Sequence, residues 1–248
     1  MWVLSYAISV YVFFLFTFLY IVGFVHNAVV PRGVDSAPEA TPARAILINA
    51  SILALFAVQH TIMARPAFKR WLTRFVPAAA ERSTFMLATC LVFLLMFTQW
   101  RSMPAIIWEV THPAAVLAIR TLSLFGFGLA LYASFLIDHF ELFGLRQAWR
   151  HFRRTPQQRA RFVMPALYRV VRHPLMLGFL IALWATPVMT VGHLLLAGLV
   201  TVYIQIGIRF EERDLTIALG PDYLEYQRAT PMLLPRPGRG DRPDPVPA

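Results

Sequence analysis

The 248-residue chain is 58% hydrophobic and 15% charged, with a mean hydropathy of +0.57, which excludes an ordinary water-soluble domain. Its 23 basic side chains outnumber 13 acidic ones, and the net charge of +10 suits either a nucleic-acid surface or the cytoplasmic loops of a membrane protein. Cys90 is the sole cysteine, so a disulfide framework, a multi-cysteine metal site and an iron–sulfur cluster are excluded.

Four long apolar stretches predict membrane-spanning helices in the first part of the chain. They are residues 2–25, 45–64, 83–100 and 113–137. Each is close to the roughly 20 residues that cross a hydrocarbon core. The first lacks the basic start and the small-residue cleavage site of a signal peptide, so we expect it to remain as a membrane span.

A fifth apolar stretch, residues 174–208, is too long for one span. Its 35 uncharged residues would form a helix of about 52 Å against a hydrocarbon core of about 30 Å. We therefore predict two helices with a break at residues 190–193, where β-branched residues and a glycine interrupt the leucine-rich pattern. The chain then has about six transmembrane helices, with five plus a C-terminal helical hairpin as the alternative count.

Basic residues alternate between rich and poor connections along these spans. Nineteen of the 23 fall in residues 65–82, 138–173 and 209–248, on one side of the predicted bundle. The positive-inside rule places those segments and both termini in the cytoplasm. The same division argues against a nucleic-acid partner, because the arginines belong to short loops at a membrane surface. We predict an all-α, polytopic membrane helix bundle whose oligomeric state the sequence leaves open.

Unusual polar residues collect at the predicted cytoplasmic face. Residues 138–141 hold two carboxylates and a histidine after the fourth helix, His173 precedes the fifth helix, and Glu211 follows the sixth. Because the fifth and sixth helices form a hairpin, we expect His173 and Glu211 to be neighbours, although 38 residues separate them. The alternative for residues 138–143 is a helix end whose side chains snorkel into the headgroups.

Histidine spacing gives little support for a metal. The seven histidines form no HxxH or HxxxH pair, so a di-iron site is disfavoured and we predict no metal. A site built from His60, His139 and a carboxylate is the alternative, although a hydrogen-bonded core histidine is favoured for His60. The sequence also lacks a Gly-rich nucleotide loop and a nucleophile triad.

Four motifs in the C-terminal third resemble a known superfamily. They are residues 168–178 (YRVVRHPLMLG), Glu211-Glu212-x-x-Leu215, Gly220-x-x-Tyr223-x-x-Tyr226 and Pro231-x-x-x-Pro235. In this order they are similar to the isoprenylcysteine carboxyl methyltransferase superfamily of membrane enzymes. Residues 59–65, 138–147 and 172–176 narrow the likeness to the bacterial methanethiol S-methyltransferases. Met176 stands where the isoprenylcysteine group usually has tyrosine, which argues against a prenyl substrate.

The resemblance implies an S-adenosylmethionine site at the cytoplasmic end of the last hairpin. Glu211 would hold the ammonium group of this methyl donor, His173 its carboxylate, and Tyr168 or Met176 its adenine or sulfonium. The implied binding residues are Phe162, Val163, Tyr168, Arg172, His173, Pro174, Leu175, Met176, Glu211 and Glu212.

The resemblance further implies methyl transfer to a small thiol, with methanethiol giving dimethyl sulfide by in-line attack of a thiolate. His139, aided by Asp138 or Glu141, is the expected base. Arg209 or Arg172 is the expected electrostatic helper. The alternatives are a larger lipid-like thiol or carboxylate as the acceptor, or a nurim-like membrane scaffold without enzymatic activity.

Three parts of the chain follow from this interpretation. Residues 1–137 are expected to form the N-terminal transmembrane helices, residues 138–235 the methyltransferase core, and residues 236–248 a flexible tail. The expected location is the bacterial cytoplasmic membrane, with the lipid bilayer as a partner and the site facing the cytoplasm.

Overall fold

The computed structural model describes residues 1–156 and 166–235. Most of these residues are helical, with one short two-stranded sheet. The helices are α1 (Trp2–His26), α2 (Pro42–Ala64), α3 (Pro66–Leu72), α4 (Glu81–Gln99), α5 (Pro113–Leu136), α6 (His139–Leu142), α7 (Leu145–Arg153), α8 (Pro174–Trp184), α9 (Val191–Leu219) and α10 (Pro221–Ala229). The strands are β1 (Ile106–Glu109) and β2 (Val188–Thr190).

Within the described ranges, five helices are long and apolar enough to cross a membrane. They are α1, α2, α4 with the short 3-10 turn before it, α5 and α9, and they have 19 or more residues each. The prediction of an all-α polytopic membrane bundle is confirmed. The cytoplasmic location of both termini stays a prediction from the charge pattern.

The predicted fifth span is shorter than expected. Helix α8 has 11 residues, which is about 16 Å of helix and only half of a hydrocarbon core. The structure therefore matches the alternative count, five long helices with a hairpin whose first arm is short.

The break in this hairpin also lies earlier than predicted. It occupies residues 185–190, whereas residues 191–193 form the first turn of α9. Pro187 explains the early end of α8, since a proline disfavours helical backbone at the residue before it. Thr190 explains the early start of α9, because its hydroxyl caps the helix by accepting a hydrogen bond from the His193 N–H at 3.0 Å.

Helices α5 and α8 approach each other at backbone distance. Gly126 of α5 faces Gly178 and Ala182 of α8, and the Ser123 hydroxyl donates to the Ala182 carbonyl at 2.7 Å. At the far end of α8, β2 pairs with β1 in an antiparallel fashion. This packing fixes the N-terminal end of α8, where His173 lies, beside the C-terminal end of α5.

A buried core joins the long helices. Phe24 of α1, Phe97 of α4, Phe127 of α5, Ala182 of α8 and Leu196 of α9 belong to one cluster. This core lies away from His173. The polar residues described below therefore occupy one end of the bundle.

Candidate active site at one end of the bundle

The ring of His173 lies between two adjacent carboxylates of α9. Its Nε2 is 3.0 Å from Glu212 Oε1, and its Nδ1 is 3.7 Å from Glu211 Oε2. His173 precedes α8 and is buried. The helical hairpin thus brings together the residues that sequence reasoning expected to be neighbours.

Arg172 and Glu212 form a buried ion pair that anchors the C-terminal segment. Arg172 Nε donates to Glu212 Oε1 at 2.6 Å, and its Nη1 donates to the carbonyls of Gln227, at 2.9 Å, and of Thr230. The Gln227 side chain donates to Glu212 Oε2 at 3.2 Å. Both oxygens of Glu212 and most donors of Arg172 are therefore used inside the protein, which gives this pair a positioning role.

The backbone on either side of this pair is also paired. The Arg172 N–H donates to the Pro231 carbonyl at 2.9 Å, and the His173 N–H donates to the Met232 carbonyl at 3.1 Å. Residues 172–173 and 231–232 therefore lie side by side. This pairing explains how two motifs that are distant in the sequence come together in the fold.

The first residues of α8 form an apolar wall next to His173. Pro174 is the first helical residue and is buried, while Leu175 and Met176 are half-buried. Met176 packs against a cluster that contains Ile208 of α9 and Leu233. A proline at the first helical position has no N–H to leave unsatisfied, so it starts the helix without loss.

Tyr168 connects this region to the end of α5. Its hydroxyl donates to the Ala133 carbonyl at 3.4 Å, and its own carbonyl accepts from the Tyr226 hydroxyl at 2.6 Å. Burial, followed by the charge of Glu211, raises the pKa of Tyr168 above its ordinary range. Tyr168 therefore stays a neutral hydrogen-bonding ring close to the Glu211 carboxylate.

Glu211 differs from its neighbour in having a carboxylate that faces outward. Its side chain is 50% exposed, against 12% for Glu212, and no lysine or arginine within the described residues pairs with it. Arg209, the expected electrostatic helper, is exposed and forms no ion pair with the described part of the chain. Phe162 and Val163, also predicted to bind the donor, lie outside the described residues.

His139, the predicted base, is buried just beyond the C-terminal end of α5. Its Nε2 is 2.8 Å from the Tyr11 hydroxyl, and its Nδ1 is 2.7 Å from the Ser134 hydroxyl. Phe135 stacks on the ring, with centroids 4.0 Å apart. Burial lowers the pKa of His139, and the nearby charge of Asp138 opposes this effect more weakly, so the ring is neutral at pH 7.

Asp138 and Glu141 do not contact the His139 ring, contrary to their expected assisting role. Asp138 adopts a left-handed backbone conformation and caps α6 by accepting from the Glu141 N–H at 3.1 Å. Its other oxygen pairs with Arg146 at 2.7 Å, and Glu141 pairs with Arg150 at 3.5 Å. In a four-residue helix these side chains diverge, and both carboxylates turn toward α7.

The last turn of α5 joins the two groups of residues. The Ala133 carbonyl accepts from Tyr168, and the next residue, Ser134, contacts His139. Consecutive residues of α5 therefore contact His139 and position Tyr168. Glu211 lies close enough to Tyr168 for its charge to act on the Tyr168 hydroxyl.

His60 occupies a separate aromatic environment. Its ring packs between Phe56 and Phe85, and its Nδ1 is 3.5 Å from the Thr89 hydroxyl. This is the arrangement expected of a hydrogen-bonded core histidine. Across residues 1–156 and 166–235, no three histidine, cysteine or carboxylate side chains are grouped as metal ligands would be.

Sequence reasoning missed Tyr11 and Ser134. Both lie within apolar spans, where a tyrosine or a serine is common, and Tyr11 is separated from His139 by 128 residues. A signal that would have pointed to Ser134 is its spacing of five residues before His139, at a helix end where the chain turns back.

The fold defines a multi-pass membrane protein whose C-terminal hairpin carries a polar site at one end. The family described as NnrU protein matches residues 47–215. A methanethiol S-methyltransferase from Mycobacterium tuberculosis is 50% identical over 94% of this chain and 96% of its own length. A methanethiol S-methyltransferase 2 from Bradyrhizobium diazoefficiens is 50% identical over 94% of this chain and 90% of its own length.

More distant similarity extends to animal proteins. Nurim from Bos taurus is 30% identical over 77% of this chain and 73% of its own length. No solved structure shows significant similarity to the chain. The chain belongs to the NnrU family and, within it, to the group of bacterial methanethiol S-methyltransferases.

Proposed function

We propose that the protein transfers a methyl group from S-adenosylmethionine to methanethiol and so forms dimethyl sulfide. The names of its relatives support the reaction and the acceptor. The single observation that supports the donor is the half-exposed Glu211 carboxylate, which lies 3.7 Å from His173 and has no lysine or arginine partner in the described residues. A carboxylate in this state favours a cationic ligand.

The residues around Glu211 suit the chemistry of this donor. S-adenosylmethionine presents an ammonium group, a carboxylate, a sulfonium cation and an adenine ring, which require ionic contacts at one end and an apolar or aromatic slot at the other. Glu211 accepts hydrogen bonds from the ammonium group. Tyr168 and Met176 provide the aromatic and thioether surface.

His173 takes a different role from the one implied by the resemblance. Because its ring lies between Glu211 and Glu212, it is surrounded by negative charge. We therefore propose that His173 orients Glu211 and does not bind the donor carboxylate. Arg172 and Glu212 act one step further back, since they hold His173 and the C-terminal segment in place.

The reaction is an in-line displacement. The thiol loses its proton, its sulfur forms a bond to the methyl carbon, and the bond from that carbon to the sulfonium sulfur breaks. The attacking sulfur must lie about 3 Å from the methyl carbon and opposite the leaving sulfur, so positioning supplies much of the rate. The protein binds both substrates, excludes water, and provides His139 as the acceptor of the thiol proton.

The acceptor is tested with purified protein in detergent. S-adenosylmethionine is supplied with methanethiol in one vial and with a prenylated cysteine in another, and both are analysed by mass spectrometry. We expect dimethyl sulfide in the headspace of the first vial and no methyl ester in the second. A protein that esterifies only the prenylated cysteine would contradict the proposed acceptor, and one that binds no S-adenosylmethionine would support the scaffold alternative.

A further inference from the structure

We propose that Tyr11, and not His139, contacts the thiol, and that the Tyr11 hydroxyl passes the thiol proton to His139 Nε2. This inference rests on the proposed function and adds a residue of α1 to the site. It follows from where the protons of three groups lie, namely Ser134, His139 and Tyr11.

The Ser134 hydroxyl determines the tautomer of His139. Ser134 Oγ is 2.6 Å from the Leu131 carbonyl, which can only accept, so the one hydroxyl proton of Ser134 lies on that contact. The Ser134 oxygen must then accept a hydrogen bond from His139 Nδ1 at 2.7 Å. His139 therefore carries its proton on Nδ1.

It follows that His139 Nε2 is an acceptor. A neutral imidazole has one donor and one acceptor nitrogen, so Nε2 accepts a hydrogen bond from the Tyr11 hydroxyl at 2.8 Å. The His139 ring is buried and both its nitrogens are occupied. A thiol cannot reach Nε2 directly, whereas the half-buried Tyr11 still has lone pairs on its hydroxyl oxygen.

The surroundings of the Tyr11 hydroxyl suit a small neutral thiol. Phe14 and Phe143 lie 6.1 and 6.0 Å from the Tyr11 ring, and Phe140 lies 6.3 Å from it, measured between centroids. Phe140 is also 46% exposed on the outer surface of the bundle. A neutral thiol dissolves in the bilayer, so we expect it to reach this aromatic site from the apolar phase.

Proton transfer through Tyr11 balances without another reactant. The S–H bond of the thiol breaks and its proton joins the Tyr11 oxygen, while the Tyr11 O–H bond breaks and that proton joins His139 Nε2. The products are a thiolate, a neutral tyrosine and an imidazolium. The imidazolium lies just after the C-terminal end of α5, which is the negative end of the helix dipole, and next to Asp138. Both features stabilise its positive charge.

The last turn of α5 contacts both the relay and the proposed donor site. Ser134 and Ala133 are consecutive residues, and they contact His139 and Tyr168 respectively. Tyr168 in turn lies next to Glu211, which is proposed to hold the donor. The two substrates are therefore expected to meet beside this turn of α5.

A single-atom substitution tests the relay. Tyr11→Phe removes only the hydroxyl, and Tyr6→Phe on the same helix removes a hydroxyl that donates to Thr84 at 3.1 Å. We expect Tyr11→Phe to lower kcat/KM for ethanethiol by about 100-fold or more, the range of general base catalysis. Tyr6→Phe should change it less than about two-fold, because its lost contact is a single peripheral hydrogen bond.

A second substrate separates proton transfer from loss of fold. Trifluoroethanethiol has the skeleton of ethanethiol but is more acidic, so much of it is already a thiolate and needs no base. Tyr11→Phe should lower kcat/KM for it by less than about five-fold, with an unchanged Kd for S-adenosylmethionine. Equal losses for both thiols, or no loss for either, would overturn the relay. A wild-type protein that methylates neither thiol would instead contradict the proposed function.

Discussion

Gly126 of α5 and Gly178 of α8 lie in backbone contact. A Cβ atom placed on Gly126 would be 2.6 Å from the Gly178 carbonyl oxygen and 2.5 Å from the Ala182 nitrogen, closer than carbon atoms tolerate. This contact fixes the depth of α8 against α5. It therefore fixes the position of His173, which precedes α8, relative to His139, which follows α5.

Gly126→Ala is expected to destabilise the protein and weaken donor binding. Backbone atoms must move to accept the methyl group, with a destabilisation of about 1–3 kcal/mol, the usual range for overpacking. Gly128→Ala on the same helix is the control, because a Cβ there has no neighbour within 4 Å. Thermal unfolding in detergent should show a lower Tm for Gly126→Ala and an equal or higher Tm for Gly128→Ala. Equal Tm values would refute the close contact.

Glu212→Ala is expected to affect stability more than chemistry. It leaves Arg172 and His173 without their shared buried partner, and removing one member of a buried ion pair destabilises by about 3–5 kcal/mol. Glu225→Ala, which removes an exposed carboxylate of α10, is the matched control. Unfolding midpoints in denaturant measure the difference. A Glu212→Ala protein as stable as the control would rule out the anchoring role.

Glu211→Gln is expected to weaken donor binding while leaving the fold intact. The half-exposed carboxylate contacts only His173, so its loss leaves no buried charge unpaired. A hydrogen bond to a charged group is worth about 1.5–3 kcal/mol, so the Kd for S-adenosylmethionine should rise about 10- to 100-fold in a calorimetric titration. Glu225→Gln should leave the Kd unchanged. An unaltered Kd in Glu211→Gln would remove Glu211 from the donor site.

The pH dependence of kcat/KM tests the source of the thiolate. The burial of His139 lowers its pKa below the ordinary value of 6.5, so its base form persists above neutral pH and is lost only under more acidic conditions. The titratable groups near His139 include the Tyr11 hydroxyl, which is hydrogen-bonded to it, and Asp138, which is paired with Arg146.

With His139 already unprotonated, kcat/KM for methanethiol should be flat from about pH 7 to 8, since thiols with a pKa of about 8.5 or more remain protonated there. A thiolate drawn from solution would give a different profile. The rate would then rise roughly ten-fold per pH unit over the same interval, and such a slope would argue against a base in the protein.

The sequence was sufficient to predict the residues joined by a hairpin. An uncharged stretch longer than one membrane span must fold back, so His173 and Glu211 had to meet at its ends, and the structure places them 3.7 Å apart. The position of the break was not predictable in the same way. It depends on Pro187 and on a threonine cap at Thr190, whereas Gly192 stays helical.

The surroundings of His139 were less accessible to sequence reasoning. Closeness in sequence favours Asp138 and Glu141 as its partners, but the direction of a side chain in a short helix depends on its backbone, and Asp138 has a φ of 83°. Tyr11 reaches His139 only through the packing of α1, which a uniformly apolar span does not specify. Contacts between spans are set by side-chain packing rather than by hydropathy.

Transfer of a labelled methyl group is the sharpest test of the proposed reaction. Purified protein is given S-adenosylmethionine with a trideuterated methyl group together with methanethiol, and the headspace is analysed by mass spectrometry. We predict dimethyl sulfide with one trideuterated methyl group, and about 10-fold or greater loss of the initial rate of its formation at low donor concentration in Glu211→Gln. Absence of labelled dimethyl sulfide from a protein that binds the donor would contradict the proposed reaction.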